Sequence, residues 1–289
     1  TGYLTLGNDS TDQLLFAGGL SATAPSAINV AGVISTTGTA MTLGDSNTAL
    51  TLLNNTTLST GVGDITLGGS VTGAYDFVLN SEGVTTVKST VNVASFKTDV
   101  SGSSINPAAS GNNVFVQGGS ITTSGDMQFA ELVLLDKADI TTNRITTLTS
   151  TNGQVGFGGA IHNANSAVQQ DLVINTANNP TNNAVTFAGP VGDASAGGAL
   201  NSLFVNSPLT RIQGGSVTTH AGQHYGGMVV LDKTDTHIDT ITTMTTDVGA
   251  VLFDGAIRNA FSTAPQSLTI NAANNPVTFS GALGEGTNP

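Results

Sequence analysis

Apolar residues along this chain fall in short alternating runs, and none keeps a 3.6-residue period. One seven-residue pattern, apolar-x-Phe/Leu-x-Gly-x-apolar, recurs as LLFAGGL (14–20), ITLGGSV (65–71), VGFGGAI (155–161), VTFAGPV (185–191), VLFDGAI (251–257) and VTFSGAL (277–283). Its first, third and seventh positions are apolar, so in an extended chain they share one face. Its fifth position is always Gly. That predicts a sharp bend or a close approach to another backbone, where a strand turns a corner. A second unit, aromatic/Leu-x-apolar-Asn, appears as FVLN (77–80), LVIN (172–175), LFVN (203–206) and LTIN (268–271). Asn80, Asn175, Asn206 and Asn271 are read as strand-end turn residues whose amides can hydrogen-bond along a stack.

These units recur at a fixed offset. QGGSITT (117–123) returns as QGGSVTT (213–219), 213 − 117 = 96 positions later. The same offset relates LLDKADI (134–140) to VLDKTDT (230–236), GFGGAI (156–161) to LFDGAI (252–257), and DLVINTANNP (171–180) to SLTINAANNP (267–276). Four extra residues, 181–184, then fall in the first copy, an insertion of loop size. A fixed period with slips of that kind is the mark of stacked repeats, each covering its neighbour's apolar face. The organisation expected is divergent coils over 1–116, one repeat unit over 117–212 and a truncated one over 213–289, in one continuous solenoid.

Apolar centres in the second copy lie about 8–17 residues apart, which suits two or three short strands per coil. With 36 Gly among 289 residues and abundant Thr, Ser and Asn, helix is nearly excluded. The fold class predicted is all-β, a right-handed parallel β-helix. Coils of ~20–25 residues stacked at ~4.8 Å would give roughly a dozen rungs, a rod on the order of 55–70 Å long. Val, Ile, Leu and the eleven Phe fill its axis, and Phe157, Phe187, Phe253 and Phe279 are expected to be buried. The second copy breaks off near Pro289, so the repeat is expected to continue, or another molecule to dock on an uncapped rung.

Charge narrows the partners. Seven Lys and Arg face 19 Asp and Glu, for a net charge of −12, although only 9% of residues are charged. Nucleic acid binding needs clustered cations and is not expected. Nor is membrane insertion, since no apolar run approaches ~18 residues, and the chain reads as soluble. There is no Cys, which removes disulfides and thiolate chemistry and suits secretion through envelope pores in an unfolded state.

The units VTFSGAL, SLTINAANN and QGGSVTT resemble the β-strand repeats of filamentous-haemagglutinin-like adhesins, the exoproteins of two-partner secretion, and similar repeats in autotransporter passengers. The resemblance covers 117–289 and thins over 1–116, where ITLGGSV and DFVLN match and QGGS does not. It implies an extracellular parallel β-helix at the bacterial cell surface that mediates adhesion or cell-to-cell contact, its partners being a host or neighbouring-cell surface, or other copies of itself end to end.

Candidate chemistry adds little. His220 and His224 are spaced like metal ligands on a helix, but they fall in strand and loop, and the other copy has Ser124 and Gln128 there. His162 faces Arg258, and His237 faces Thr141. Asp136 and Asp232 recur in LLDK and VLDK, and a strand-end ion pair with Lys137 or Lys233 accounts for them. Loops LGDSN (43–47) and GDAS (192–195) crowd oxygen ligands as calcium sites do, but the nonapeptide calcium repeat is missing. There is no phosphate loop, no nucleophile elbow and no Trp, and only three Tyr. The sequence reading therefore assigns no catalytic, cofactor-binding or metal residues, and no enzyme. It ranks a non-enzymatic adhesive rod first, a self-assembling filament, sheath or surface-layer subunit second, and a polysaccharide-active or ice-binding protein third. Ice binding needs a Thr-x-Thr ladder in successive coils. TLT (147–149) and TMT (243–245) stand 243 − 147 = 96 residues apart, so they do not make one.

Overall fold

A computed structural model describes residues 2–99, 112–137, 144–165, 167–176, 184–192, 198–233, 240–260 and 265–284. Among the described residues there are β-strands and no helix. The strands are short because Gly, Asn and Ser interrupt them every few residues, and every pairing between them is parallel.

The pairings form three ladders. The first runs from Tyr3–Leu6 to Val277–Phe279, the second from Gln13–Phe16 to Ile257–Asn259, and the third from Leu20–Ala22 to Ser267–Asn271. The chain visits first, second and third ladder in the same order on every circuit. Two long strands, Ala27–Thr36 and Ala49–Gly61, cross from the first ladder into the second and join them in one sheet. Single bridges at Val191 carry the third ladder between Ile161 and Val217.

Register follows the alternation read from the sequence. In the first ladder one column contains Leu4, Ile28, Leu50, Val71, Val91, Ile121, Leu148, Ile174, Val205, Tyr225, Phe253 and Phe279, each paired to the next. From Ile28 to Phe253 every member is buried. Comparable apolar columns in the other ladders complete one continuous core. Such a core is built from strand alternation alone, each inward side chain resting on its equivalent one circuit away.

The aromatic residues occupy two stacks. Phe129, Phe157 and Phe187 lie face to face in the second ladder at 5.3 and 5.5 Å, with Phe77 and Phe96 tilted beneath them. Tyr225, Phe253 and Phe279 lie face to face in the first ladder at 5.2 and 5.3 Å. Phe157, Phe187 and Phe253 are buried as expected, but Phe279 is 39% exposed. It belongs to the last described strand of its ladder, so one face of its ring has no neighbour among the described residues.

The change of ladder between the two stacks exposes how the repeat is laid down. Starting from Ser120 in the first ladder, the chain returns there at Thr147, Val173 and Phe204. It then passes the second ladder at Leu209–Ile212 and reaches Ser216, the equivalent of Ser120, in the third. The 96-residue period is thus three circuits and two-thirds of a fourth. Every element of the second copy sits one ladder back from its counterpart in the first.

The recurrent Gly is a corner residue, and the six heptapeptides serve all three corners. Residues 155–161 and 185–191 turn from the second ladder to the third, 65–71 from the third to the first, and 251–257 and 277–283 from the first to the second. A Cβ on Gly159 would collide with the backbone of Glu131, one on Gly189 with Gly159, and one on Gly281 with Gly255. None of these three has positive φ. Close approach of stacked corners, and not left-handed backbone, is what demands Gly here.

Candidate functional site

Inward hydroxyls at the corners are tied to the backbone. Thr123 Oγ1 and Ser150 Oγ both donate to the Gly125 carbonyl, at 2.6 and 2.7 Å, and Thr176 Oγ1 donates to Ser207 Oγ at 2.9 Å. Thr123 and Ser150 thus satisfy a carbonyl that a bend removes from the ladder.

Outward hydroxyls differ. On the outer face of the first ladder, Thr5, Asn29, Thr51, Thr72, Asn92, Thr122, Thr149, Asn175 and Asn206 form one unbroken column. Two positions earlier on four successive circuits stand Ser70, Thr90, Ser120 and Thr147. TLT therefore tops a column of mixed hydroxyl and amide rungs spelled SIT, TVN and SVT, none of them Thr-x-Thr. The sequence hid it because circuits differ in length, so the rungs have no fixed spacing. TMT lies in the third ladder between Ser216–Thr219 and Ser267–Asn271.

Beside this column, at the corner toward the second ladder, a hollow is lined by Thr72, Asn92 and Thr122 and, two positions on, by Ala74, Ala94 and Ser124. An adjoining hollow takes in Asp76, Ser95, Lys97, Asp126 and Asn152. Ser95 Oγ donates to Asp76 Oδ1 at 2.6 Å, and Asp126 Oδ1 accepts from the Gln154 amide at 3.1 Å.

The residues weighed for chemistry are dispersed. His220 Nδ1 lies 3.2 Å from Asp247 Oδ2, and His224 Nε2 lies 2.8 Å from Asp254 Oδ2. His224 also meets Phe204 edge-on at 4.8 Å. The two histidines thus address different carboxylates. Among the described residues no three His, Cys, Asp or Glu side chains gather as a metal site. His162 stands on the outer face of the third ladder, paired in register with Leu134. His237 lies outside the described residues, as do residues 193–195 of the GDAS loop. In the LGDSN loop Asp45 Oδ1 accepts from the Asn47 amide and from Thr48 Oγ1, at 2.8 and 3.0 Å, which closes a turn.

The repeated aspartates have partners of another kind. Gln117 Nε2 donates to Asp136 Oδ2 at 2.7 Å, and Gln213 Nε2 to Asp232 Oδ2 at 2.9 Å. Arg211 approaches Asp232 at 3.9 Å. The expected ion pair with the following Lys gives way to a hydrogen bond across circuits, because consecutive residues leaving a strand point apart. Lys137 instead packs over Gly119 and donates to the Ile145 carbonyl at 3.4 Å, and Lys233 packs over Gly215. QGGS and LDK thus recur together because they touch. Of the four strand-end asparagines, Asn175 and Asn206 are adjacent, with Asn206 Nδ2 donating to Asn175 Oδ1 at 3.5 Å. Asn80 lies in the second ladder and Asn271 in the third.

One buried acidic pair escaped sequence reasoning. Glu131 is 1% exposed and Asp99 is also buried. Thr98 Oγ1 donates to Glu131 Oε2 at 2.9 Å, and the Ser81 amide donates to Asp99 Oδ1 at 2.9 Å. Burial, reinforced by the neighbouring Asp99, pushes Glu131 up to about 8, and burial raises Asp99 as well. Glu131 keeps its proton at neutral pH, as like charges crowded away from water require.

No protein-family model, curated protein or solved structure matches this chain.

Proposed function

We propose that the three ladders enclose their core as a right-handed parallel β-helix, and that this rod is a non-enzymatic, adhesive segment of an extracellular protein at the bacterial cell surface. The observation that carries the reading is the unbroken apolar column from Leu4 to Phe279. Parallel crossovers in one sheet are right-handed in nearly all proteins, which supplies the hand. A chain that devotes its interior to stacking and its exterior to small uncharged side chains offers length and a lateral surface. Asp136, Asp232, His220 and His224 each engage a separate partner, and the non-enzymatic reading takes them as surface polar groups, not as one constellation. Beads coated with the protein should adhere to bacterial or host cells, and replacing any of these four by Ala should leave adhesion unchanged. Beads that adhere no better than albumin-coated ones would contradict the adhesive reading. Glycan hydrolysis that one of these substitutions abolishes would contradict the non-enzymatic one.

Self-assembly is the second reading. Val277 is 36% exposed, Phe279 39% and Leu283 56%, an apolar edge that a further coil or a second copy would cover. Sedimentation over a range of concentrations separates the two: a constant mass speaks against end-to-end association, and a mass that rises with concentration supports it.

A further inference from the structure

We infer that the outer face of the first ladder, together with the hollow beside it, binds a neutral polysaccharide chain laid along the stacking direction. The inference rests on the adhesive reading and gives its ligand class. Three observations support it. First, Ser70 to Thr149 present paired hydroxyl or amide groups on four successive circuits, and among the described residues Thr72, Thr90, Asn92, Thr122, Thr147 and Thr149 make no side-chain hydrogen bond. Inward Thr123 and Ser150, one position further along their strands, are by contrast engaged with the Gly125 carbonyl. The outward set offers donors and acceptors at strand spacing, the complement of sugar hydroxyls.

Second, the hollow is assembled from equivalent positions on consecutive circuits, so a ligand that fills it must extend from circuit to circuit. A linear polymer does this and a compact metabolite does not. An extended peptide would seek an open strand edge, whereas this surface presents side chains from strands already paired on both sides.

Third, the face carries no charge from Ser70 to Thr149, in a protein of net charge −12. In the adjoining hollow Asp76 and Asp126 outnumber Lys97; the two carboxylates are acceptors for sugar hydroxyls, and the net negative charge disfavours anionic polymers. These features select a neutral glycan over an acidic glycan or a nucleic acid.

The test immobilises the protein and measures retention of cellohexaose, laminarihexaose and mannohexaose, with a hexamer of galacturonate as the acidic comparison. At least one neutral hexamer should bind. Thr122→Val and Asn92→Ala should each weaken it about fivefold, as loss of one hydrogen bond does, with unchanged melting curves. Thr57→Val, on the outer face of the second ladder, should have no effect. Failure to retain any neutral hexamer, while coated beads still adhere to cells, would overturn this inference and leave the adhesive reading standing. Failure of both would remove the two together. Equal retention of galacturonate, or binding insensitive to Thr122 and Asn92, would also overturn it. So would inhibition of ice recrystallisation without glycan binding, which would assign the hydroxyl ladder to ordered water.

Discussion

At the scale of single residues, the fold rests on inward side chains that each touch an equivalent above and below. Phe253 lies between Tyr225 and Phe279, so Phe253→Ala should cost ~3–5 kcal/mol in urea unfolding, the usual loss for a buried aromatic ring. Phe279→Ala removes a ring with one open face and should cost clearly less. Equal losses would mean that the stack does not end as described. The carboxyl pair gives a pH signature. A carboxyl raised from its ordinary value of 4.5 to about 8 imposes no penalty below the lower value. Above it, ionisation favours the unfolded chain progressively until the higher value is passed. Stability should therefore fall by about 2–3 kcal/mol between pH 6 and pH 9, and Glu131→Gln should flatten that profile. A native protein equally stable at both pH values would place Glu131 in water. The inward rings were legible in the sequence because alternation marks them. Asp99 and Glu131 were not, since only the stacking of circuits brings residues 131 − 99 = 32 apart together; Asp99 lies outside the copied region, and Glu131 has Gly227 as its counterpart in the second copy.

Strands and corners form the next scale. The Gly-centred heptapeptide was legible as a corner from its composition, and the structure adds that one unit serves all three corners. What makes it interchangeable is its two demands, two inward residues before the bend and one after, with a Gly pressed on the circuit beneath. Gly189→Ala places a methyl against the backbone of Gly159 and should cost about 1–3 kcal/mol, as overpacking does. Gly18 holds the same position in residues 14–20 with nothing within 4 Å. Gly18→Ala should accordingly be neutral within about 0.5 kcal/mol. Matching effects at the two positions would show that Gly is needed for its conformation and not for its size. The polar face was less legible. Its rungs were all present in the sequence, but lengths from one circuit to the next vary, and a ladder of hydroxyls cannot be recognised until the register is known.

Over the whole molecule, the consequential feature is that the sequence period is not a whole number of circuits. Each 96-residue unit advances three and two-thirds circuits, so three units, 3 × 96 = 288 residues, would complete eleven circuits before a motif returned to its own face. In the two copies present, the Gln–Asp hydrogen bond accordingly stands at the end of the third ladder's strands in the first copy and of the second ladder's strands in the second. All of it depends on the stacking of circuits, and the absence of Cys makes the stacking directly measurable. Pairs of introduced cysteines carrying spin labels can be placed in the outward Thr/Asn column, with Asn29→Cys fixed and the second at position 92, 149 or 206. These positions are three, five and seven rungs away. Electron–electron resonance should give separations of about 14, 24 and 34 Å between attachment points, growing by ~4.8 Å per rung. Distances that fail to increase with rung number, or that spread over the whole measurable range, would contradict the stacked β-helix.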